Sequence, residues 1–258
     1  MKVSELDRFL FDLRGFLVVR RVLDAGAVEA MRTRIDEWGL AQETEEERGK
    51  IEAIFDWGQA FLDLIDHPRT LPYVLEFVDE AARLDNAYAA FTIPGDAGIP
   101  LHAGVADGKA PWIPTSTTWY AVNDERISSG LTKVCWSLTD SPAGSGGFCC
   151  IPGSHKSRIR PPIGDDSEAA IDAGVAVEVP LMAGDAIVFT EALVHSWMPR
   201  RSHGNNRVLI YKYTPGYVRY FGRDWLPDDL DRLTPNQRLL VEPPYVRDGD
   251  HEKRRSID

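Results

Sequence analysis

The sequence has 258 residues, of which 43% are hydrophobic and 27% charged, a composition that excludes a disordered chain and can form a sizeable core. Its 29 basic and 40 acidic residues give a net charge of −11, which argues against binding to nucleic acid polymers or anionic membranes. The three cysteines have neither zinc-finger spacing nor the pattern of a disulfide framework. There is no signal-peptide pattern and no apolar run of about 18 residues, so we expect a cytoplasmic protein without a membrane partner.

The first third of the chain is predicted to be mainly helical. Ser4 is placed to cap an amphipathic helix that Gly15 ends, and Asp24 is placed to cap a second helix. Another helical pattern covers about residues 58–82 and breaks at His67, because the residue before a proline is pushed out of helical geometry.

From about residue 85 onward, short apolar runs alternate with turn residues, a texture that predicts an antiparallel sandwich or barrel. The runs are AYAAFTIP, STTWYAVN, LTKVCWSLTD, GGFCCIPGS, VAVEVPLMAGDAIVFT, LVHSW and RVLIYKYTPG. Because the chain has no internal repeat and no flexible linker, we predict a single domain. It comprises a helical flank (1–84), a β core (85–220) and a C-terminal extension (221–258).

Two histidines fall in suggestive places within the β-rich part. His102 lies in IPLHAGVADG, His195 lies in FTEALVHSWMP, and Arg207 begins RVLIYKYTPG. Non-haem iron oxygenases need two imidazoles and usually one carboxylate, and a guanidinium is suited to a dicarboxylate co-substrate. The pattern therefore predicts an iron site, although position 104, on the same side of a strand as His102, is a glycine.

The chain resembles the phytanoyl-CoA dioxygenase-like family of iron(II)- and 2-oxoglutarate-dependent oxygenases in FLFDLRGFLVVRRVLDAGAVEAM, SGLTKVCWSLTDSPAGSGGFCCIPGSHKS, AGDAIVFTEALVHSW and RVLIYKYTPG. The resemblance implies a mainly β fold with flanking α-helices, namely a double-stranded β-helix or cupin-like jelly roll. It also implies that His102 and His195 are iron ligands, that Arg207 anchors the distal carboxylate of 2-oxoglutarate, and that Trp136 lines the co-substrate pocket. Asn123, at the end of WYAVN, is a further candidate for contact with the co-substrate.

Strand alternation extends the expectation for Trp136 to its neighbours. Thr132 and Val134 share its parity, so Lys133 and Cys135 are expected to face away from the pocket.

The family motif is usually His-x-Asp, whereas here it is His102-Ala103-Gly104. Three explanations compete: a halide takes the vacated place, as in the radical halogenases that resemble this family; a water takes it and leaves a hydroxylase; or the site is dead and the protein is a binding module. We favour a halogenase that uses Fe(II), 2-oxoglutarate, chloride and O2 to chlorinate an unactivated aliphatic carbon. Asp107 is disfavoured as a replacement carboxylate by its parity.

The chain shows no docking surface for a carrier protein, which favours a free small-molecule substrate. It looks most similar to the nucleotide halogenases of nucleoside antibiotic biosynthesis, which implies the sugar of 2′-deoxyadenosine monophosphate as the substrate. The candidates for binding its phosphate are Lys156, Arg158, Arg160, Arg200 and Arg201. The alternative interpretation of these residues is solvated loop charge.

Three further histidines and two cysteines are not expected to take part in the chemistry. His155 resembles a turn residue beside the core, and His67 and His203 are expected at the surface. Cys149 and Cys150 are expected to pack within an apolar strand.

Overall fold

The computed structural model describes residues 2–52, 54–104, 118–157, 159, 161–220 and 230–244. The helices in these ranges are α1 (Glu5–Arg14), α2 (Ala25–Gly39), α3 (Glu45–Gly49), α4 (Gln59–Leu62), α5 (Leu71–Phe77), α6 (Ser167–Asp172) and α7 (Pro235–Leu240). None of these described helices is long and apolar enough to cross a membrane. Short 3-10 helices cover Ile54–Trp57, Ser154–Lys156 and Leu230–Arg232.

The strands lie mainly in the second half of the described chain. They are β1 (Phe16–Val19), β2 (Arg83–Thr92), β3 (Tyr120–Asn123), β4 (Arg126–Ser129), β5 (Thr132–Ser137), β6 (Phe148–Cys150), β7 (Val177–Glu178), β8 (Ala186–Thr190), β9 (His195–Trp197) and β10 (Asn206–Thr214). The predicted apolar runs all contain strands. Strand β4 and helices α6 and α7 were not predicted.

The predicted helix boundaries are confirmed at the first two helices. The Ser4 side chain accepts a hydrogen bond from the backbone N–H of Asp7, and the Asp24 side chain accepts one from Ala27. Gly15 ends α1 with a φ of 84°, a left-handed conformation that favours glycine. The region predicted as a broken helix over 58–82 contains α4 and α5, with His67 between them.

The strands form two facing antiparallel sheets and a separate hairpin. The larger sheet has five strands in the order β1-β8-β5-β10-β2, the smaller has three in the order β7-β6-β9, and β3 pairs with β4. Every strand pairing within these sheets is antiparallel. This agrees with the predicted mainly β fold with flanking helices.

The two faces of the five-stranded sheet contact different layers. Trp136, Leu209 and Tyr211 belong to the large apolar core that the sheet forms with the helices. On the opposite face, residues such as Ile187 pack in a second core that also contains Phe148 of the smaller sheet. Because strand side chains alternate, each residue of β5, β8 and β10 is committed either to the helical layer or to the space between the sheets.

Candidate functional site

A cavity of about 500 Å³ lies between the two sheets. Residues of both sheets line it, together with α3 and the segment that precedes His102. Those used below are Lys133, Phe189, His195, Trp197, Arg200, Asn206, Val208 and Ile210. The cavity is large enough for a small organic molecule.

His102 and His195 lie side by side on this cavity. Each backbone N–H donates to the carbonyl of the other residue, at N–O distances of 2.9 and 2.8 Å, and the ring centroids are 4.3 Å apart. The Nδ1 atom of His102 is 2.9 Å from the carbonyl oxygen of Pro100, and that of His195 is 2.7 Å from the carbonyl oxygen of Leu193. Since a carbonyl oxygen only accepts, each Nδ1 carries the proton and each Nε2 is an unprotonated acceptor.

Both imidazoles are held in the neutral form. Burial lowers the pKa of His102, and the nearby Lys133 ammonium lowers it further. Burial lowers the pKa of His195 well below its ordinary value, with Lys133 again the next cause. Neutral imidazoles with fixed tautomers are the form in which histidine binds metals.

Glu191 joins the two histidines, and the sequence analysis missed it. Its carboxylate and the histidine nitrogens offer three ligand atoms that all lie within 4.8 Å of one another. The Glu191 residue is only 4% exposed, and its backbone carbonyl accepts a hydrogen bond from Gly104 at 2.8 Å. Glu191 precedes His195 by four residues in TEALVH, just beyond the end of β8, where strand alternation gives no indication of its direction.

Lys133 contacts two members of this group. Its Nζ lies 2.7 Å from Glu191 Oε2 and 3.2 Å from His195 Nε2. The lysine and glutamate side chains are 8% and 5% exposed. The contact with Oε2 does not have hydrogen-bond geometry, so this buried oxygen has no hydrogen-bond partner among the described residues. The expectation that Lys133 and Cys135 face away is wrong, because both line the cavity.

Lys133 is the first member of a polar row across three neighbouring strands. Lys212 of β10 lies opposite it in register, and Asn86 of β2 lies opposite Lys212. Burial lowers the pKa of Lys212 to about 7, and the charge of Lys133 is the next cause. The Asn86 side chain is fully buried, and neither its amide nitrogen nor its amide oxygen has a hydrogen-bond partner among the described residues. The row therefore places two amines and an amide on neighbouring strands beside Glu191.

Arg207, Trp136 and Asn123 do not join the site. Arg207 faces the helices, where Nε and Nη2 form a bidentate pair with Asp36 of α2 at 2.5 and 2.8 Å. Trp136 is fully buried in the same layer, with its ring centroid 5.1 Å from that of His67, so His67 is not simply a surface residue. Asn123 is exposed at the β3–β4 turn.

Strand alternation explains why Arg207 and Trp136 lie on the side of the sheet away from the cavity. Asn206, Val208 and Ile210 line the cavity, so Arg207 between them points to the opposite side of β10. The same argument applies to Trp136, which follows the cavity-lining Cys135.

Gly104 follows His102 by two residues, and its backbone N–H donates to the carbonyl of Glu191. Its φ is 68°, a left-handed conformation in which any other residue is strained. Asp107 lies outside the described residues. A glycine at position 104 therefore permits the backbone turn in which its N–H reaches the carbonyl of Glu191.

The predicted phosphate-binding residues are dispersed. Lys156 pairs with Asp12 at 3.1 Å, and Arg201 pairs with Glu168. Arg200 lines the cavity, while Arg158 and Arg160 lie outside the described residues.

The donor set fits a divalent metal ion. Two neutral imidazoles with unprotonated Nε2 atoms and the Glu191 carboxylate converge beside the cavity, and Lys133 contacts two of these groups. Two histidines and one carboxylate are the ligand set typical of non-haem iron(II) oxygenases. The chemistry of the donor set supports this fit, because buried imidazole nitrogens and a buried carboxylate that converge attract a cation, as the contact of Lys133 with two of them shows.

Several known proteins are similar to this chain. HygX from Streptomyces hygroscopicus, solved with nickel and 2-oxoglutarate bound, has a TM-score of 0.71 and 23% identity, covering 84% of this chain and 89% of HygX. A second HygX structure, with nickel, 2-oxoglutarate and hygromycin B bound, has a TM-score of 0.70 and 22% identity and covers 95% and 96%. SnoK, a non-heme alpha ketoglutarate dependent carbocyclase from nogalamycin biosynthesis, has a TM-score of 0.61 and 18% identity, with coverage of 95% and 94%. At these identities the likeness shows a shared fold.

Comparison with curated protein sequences gives no match. The phytanoyl-CoA dioxygenase family model, in contrast, matches residues 11–208, which is more than half of the chain and includes both histidines. The chain therefore belongs to the phytanoyl-CoA dioxygenase family, whose members are of the iron(II)- and 2-oxoglutarate-dependent oxygenase type.

Proposed function

We propose that this protein uses iron(II) and 2-oxoglutarate to oxidise an aliphatic carbon of a small molecule held in the cavity between the sheets. His102, His195 and Glu191 would hold the iron. The observation that carries this proposal is the convergence of their three ligand atoms within 4.8 Å at a cavity of about 500 Å³. Bound iron would supply the oxidative chemistry together with 2-oxoglutarate and O2.

The residues of the chain have distinct tasks in this proposal. The carbonyls of Pro100 and Leu193 fix the two histidine rings with Nε2 available. Glu191 supplies the negative charge that Gly104 cannot. Phe189 and Trp197 form part of the apolar wall, which limits water near the reacting carbon.

The cavity also offers cations for the two carboxylates of 2-oxoglutarate. Lys133 lies beside the proposed ligands, and Arg200 lines another part of the wall. Arg200 is 7% exposed, and the hydrogen bonds described for its guanidinium go to neutral oxygens, including Ser141 Oγ at 3.0 Å and the Gly204 carbonyl at 2.9 Å. A buried cation with neutral partners favours an entering carboxylate, so we assign Arg200 the anchoring role expected of Arg207.

The nature of the small molecule is inferred from proteins that share this fold. HygX has been solved with hygromycin B bound, and SnoK is a carbocyclase of nogalamycin biosynthesis, so proteins with this fold accept small natural products. A nucleoside monophosphate stays a prediction. Of the described basic residues nominated for its phosphate, Arg200 is the one that lines the cavity.

Halogenation is the second candidate reaction. Gly104 carries no carboxylate, and Lys133 pairs with Glu191. If this ion pair persists when iron binds, the third ligand position is open to chloride, which a divalent metal attracts. The two reactions thus differ in whether Glu191 or a halide completes the ligand set.

The ligand assignment is tested by substitution of Glu191. Glu191→Gln should weaken Fe(II) affinity by about tenfold or more and reduce 2-oxoglutarate decarboxylation, since a neutral amide is a poorer ligand than a carboxylate. Glu168→Gln is the matched control, because that glutamate is exposed and pairs with Arg201. Unchanged affinity in Glu191→Gln would remove Glu191 from the ligand set and favour the halide.

Chloride then separates the two reactions. The absorption band of the anaerobic iron(II)–2-oxoglutarate complex is recorded with and without chloride. Indifference to chloride in the unmodified protein, with sensitivity gained in Glu191→Gln, supports the oxygenase. Chloride sensitivity in the unmodified protein supports the halogenase.

A further inference from the structure

The Lys133 ammonium lies where it shares partners with the proposed metal. It contacts Glu191 Oε2 at 2.7 Å and His195 Nε2 at 3.2 Å, two of the three ligand atoms assigned above. The lone pair of His195 Nε2 that faces Lys133 is the one that a metal needs, because Nδ1 is bonded to the carbonyl of Leu193.

An ammonium and a divalent metal cannot both use these atoms. A nitrogen lone pair accepts one partner, and two cations held by the same buried carboxylate repel each other strongly where little water screens them. Lys133 and Glu191 are both almost fully buried, so neither charge can be screened without movement. Metal binding therefore requires Lys133 to leave His195 and Glu191.

Lysine is suited to such a movement. Its charge is at the end of a flexible four-carbon stem, and the cavity that Lys133 lines provides space beside the site. The ammonium also lies 5.5 Å from the centroid of the Phe189 ring, an aromatic wall residue that can accept a cation.

We propose that Lys133 is a built-in competitor of the metal, neutralising Glu191 and capping His195 Nε2 when no metal is bound and leaving both atoms when metal enters. This inference rests on the ligand set of the proposed function. In this role Lys133 weakens metal binding, whereas a residue that orients the ligands would strengthen it. Its consequence is a metal affinity lower than the same three ligands would give without the lysine.

The test measures Ni(II) affinity by competition with a chromophoric chelator. Lys133→Met keeps the length of the side chain and removes the charge, and it should bind Ni(II) about tenfold or more tightly than the unmodified protein. Lys212→Met removes the amine that lies opposite Lys133 on the neighbouring strand and should give a clearly smaller change. Lys133→Arg keeps the charge and should give no gain.

The outcomes distinguish this inference from the proposed function. If the unmodified protein and Lys133→Met bind Ni(II) equally, or the variant binds more weakly, the competition is wrong and the metal site stands. If Lys133→Met binds and the unmodified protein does not, the competition is supported and the proposed iron enzyme is overturned. If neither binds, both fail.

A second measurement follows the displacement of Lys133 in the unmodified protein. In the unmodified protein with 15N-labelled lysine, Zn(II) should shift or broaden the ammonium resonance of Lys133, assigned by its absence in Lys133→Arg. The resonance of Lys156, which pairs with Asp12 elsewhere, is the internal control. A Lys133 resonance unaltered by saturating Zn(II) would contradict the proposed displacement.

Discussion

A shift of one residue along β10 determines which side chain reaches the cavity. Arg207 follows Asn206, and in an extended strand neighbouring side chains point to opposite faces. Asn206 lines the cavity, whereas Arg207 pairs with Asp36 of α2. The sequence predicts that the Arg207 guanidinium binds the co-substrate, whereas in the structure it connects the sheet to α2.

Arg207→Ala should therefore lower stability rather than co-substrate affinity. Its loss leaves Asp36 without its bidentate partner, which should cost about 1.5–3 kcal/mol in the free energy of unfolding. Urea unfolding measures this cost, and 2-oxoglutarate affinity of the metal-loaded protein should change little. Asp36→Asn serves as the control, since it weakens the same pair from the other side. A large loss of 2-oxoglutarate affinity with unchanged stability would return Arg207 to the co-substrate.

Arg200→Met should have the complementary effect. The substitution removes the cavity cation while retaining an apolar stem, so the 2-oxoglutarate concentration for half-maximal binding should rise about tenfold or more. Arg201→Met, at a neighbouring residue that pairs with Glu168, is the control. Because Arg200 also bonds loop carbonyls, its variant needs a parallel check of folding by circular dichroism.

At the scale of elements, the junction of α1 with the 3-10 helix Ser154–Lys156 combines a backbone turn with a buried histidine. His155 Nε2 is 3.0 Å from the carbonyl oxygen of Asp12, and its ring packs edge-on against Tyr120 at 4.4 Å. Gly15 closes α1 directly beside it, and a Cβ there would come within 2.7 Å of His155 Nδ1.

Gly15→Ala should destabilise the protein markedly. The residue would be held at a φ of 84° and its Cβ would also meet the Leu193 side chain at 2.9 Å, so we expect a loss of about 1–3 kcal/mol. Gly204→Ala is the control, because a Cβ at this exposed position meets nothing within 4 Å. Thermal unfolding of both variants measures the difference. Equal midpoints would show that the junction can relax.

His155 should make the stability of this junction depend on pH. Burial lowers its pKa from 6.5 to about 4, with Lys156 adding to this effect and Asp12 opposing it. The unfolded chain therefore takes up a proton as the pH falls from 6.5 towards 4, while the folded protein does not, so stability is lost in that window. Between pH 7 and pH 5 the contribution is about 2 kcal/mol.

This pH dependence is measured by urea unfolding of the unmodified protein and His155→Gln at both pH values. The variant lacks the titrating group but keeps a donor for the Asp12 carbonyl. Between pH 7 and pH 5 the variant should lose about 2 kcal/mol less stability than the unmodified protein. Parallel losses in the two proteins would assign the effect to other buried histidines.

At the scale of the whole molecule, metal binding should stabilise the fold, because the proposed ligands come from separate parts of the chain. His102 lies beyond β2, Glu191 follows β8 and His195 begins β9. A ligand that binds only the folded state at 100 times its Kd adds about 2.7 kcal/mol. Ni(II) should thus raise the thermal midpoint and a chelator should reverse the rise. His102→Ala should lose most of this response, and an undiminished rise would place the metal elsewhere.

The sequence by itself determined the local features of this protein. The helix caps at Ser4 and Asp24 and the turn at Gly15 depend on neighbouring residues, so their signals are readable. The apolar runs identified the strands, and the His102 and His195 segments identified the pair of imidazoles that the structure brings together.

The tertiary structure decided which charged groups surround those imidazoles. Glu191 lies in a turn, where strand alternation does not apply, and only the pairing of Gly104 with its carbonyl places it beside His102. Lys133 and Lys212 become neighbours through the register of β5 and β10, which alternation within one strand cannot specify. Alternation assigns the side chains of each strand to two faces but does not say which face meets the helices. The helices pack on the face that carries Arg207, so Lys133 faces the cavity on the other side.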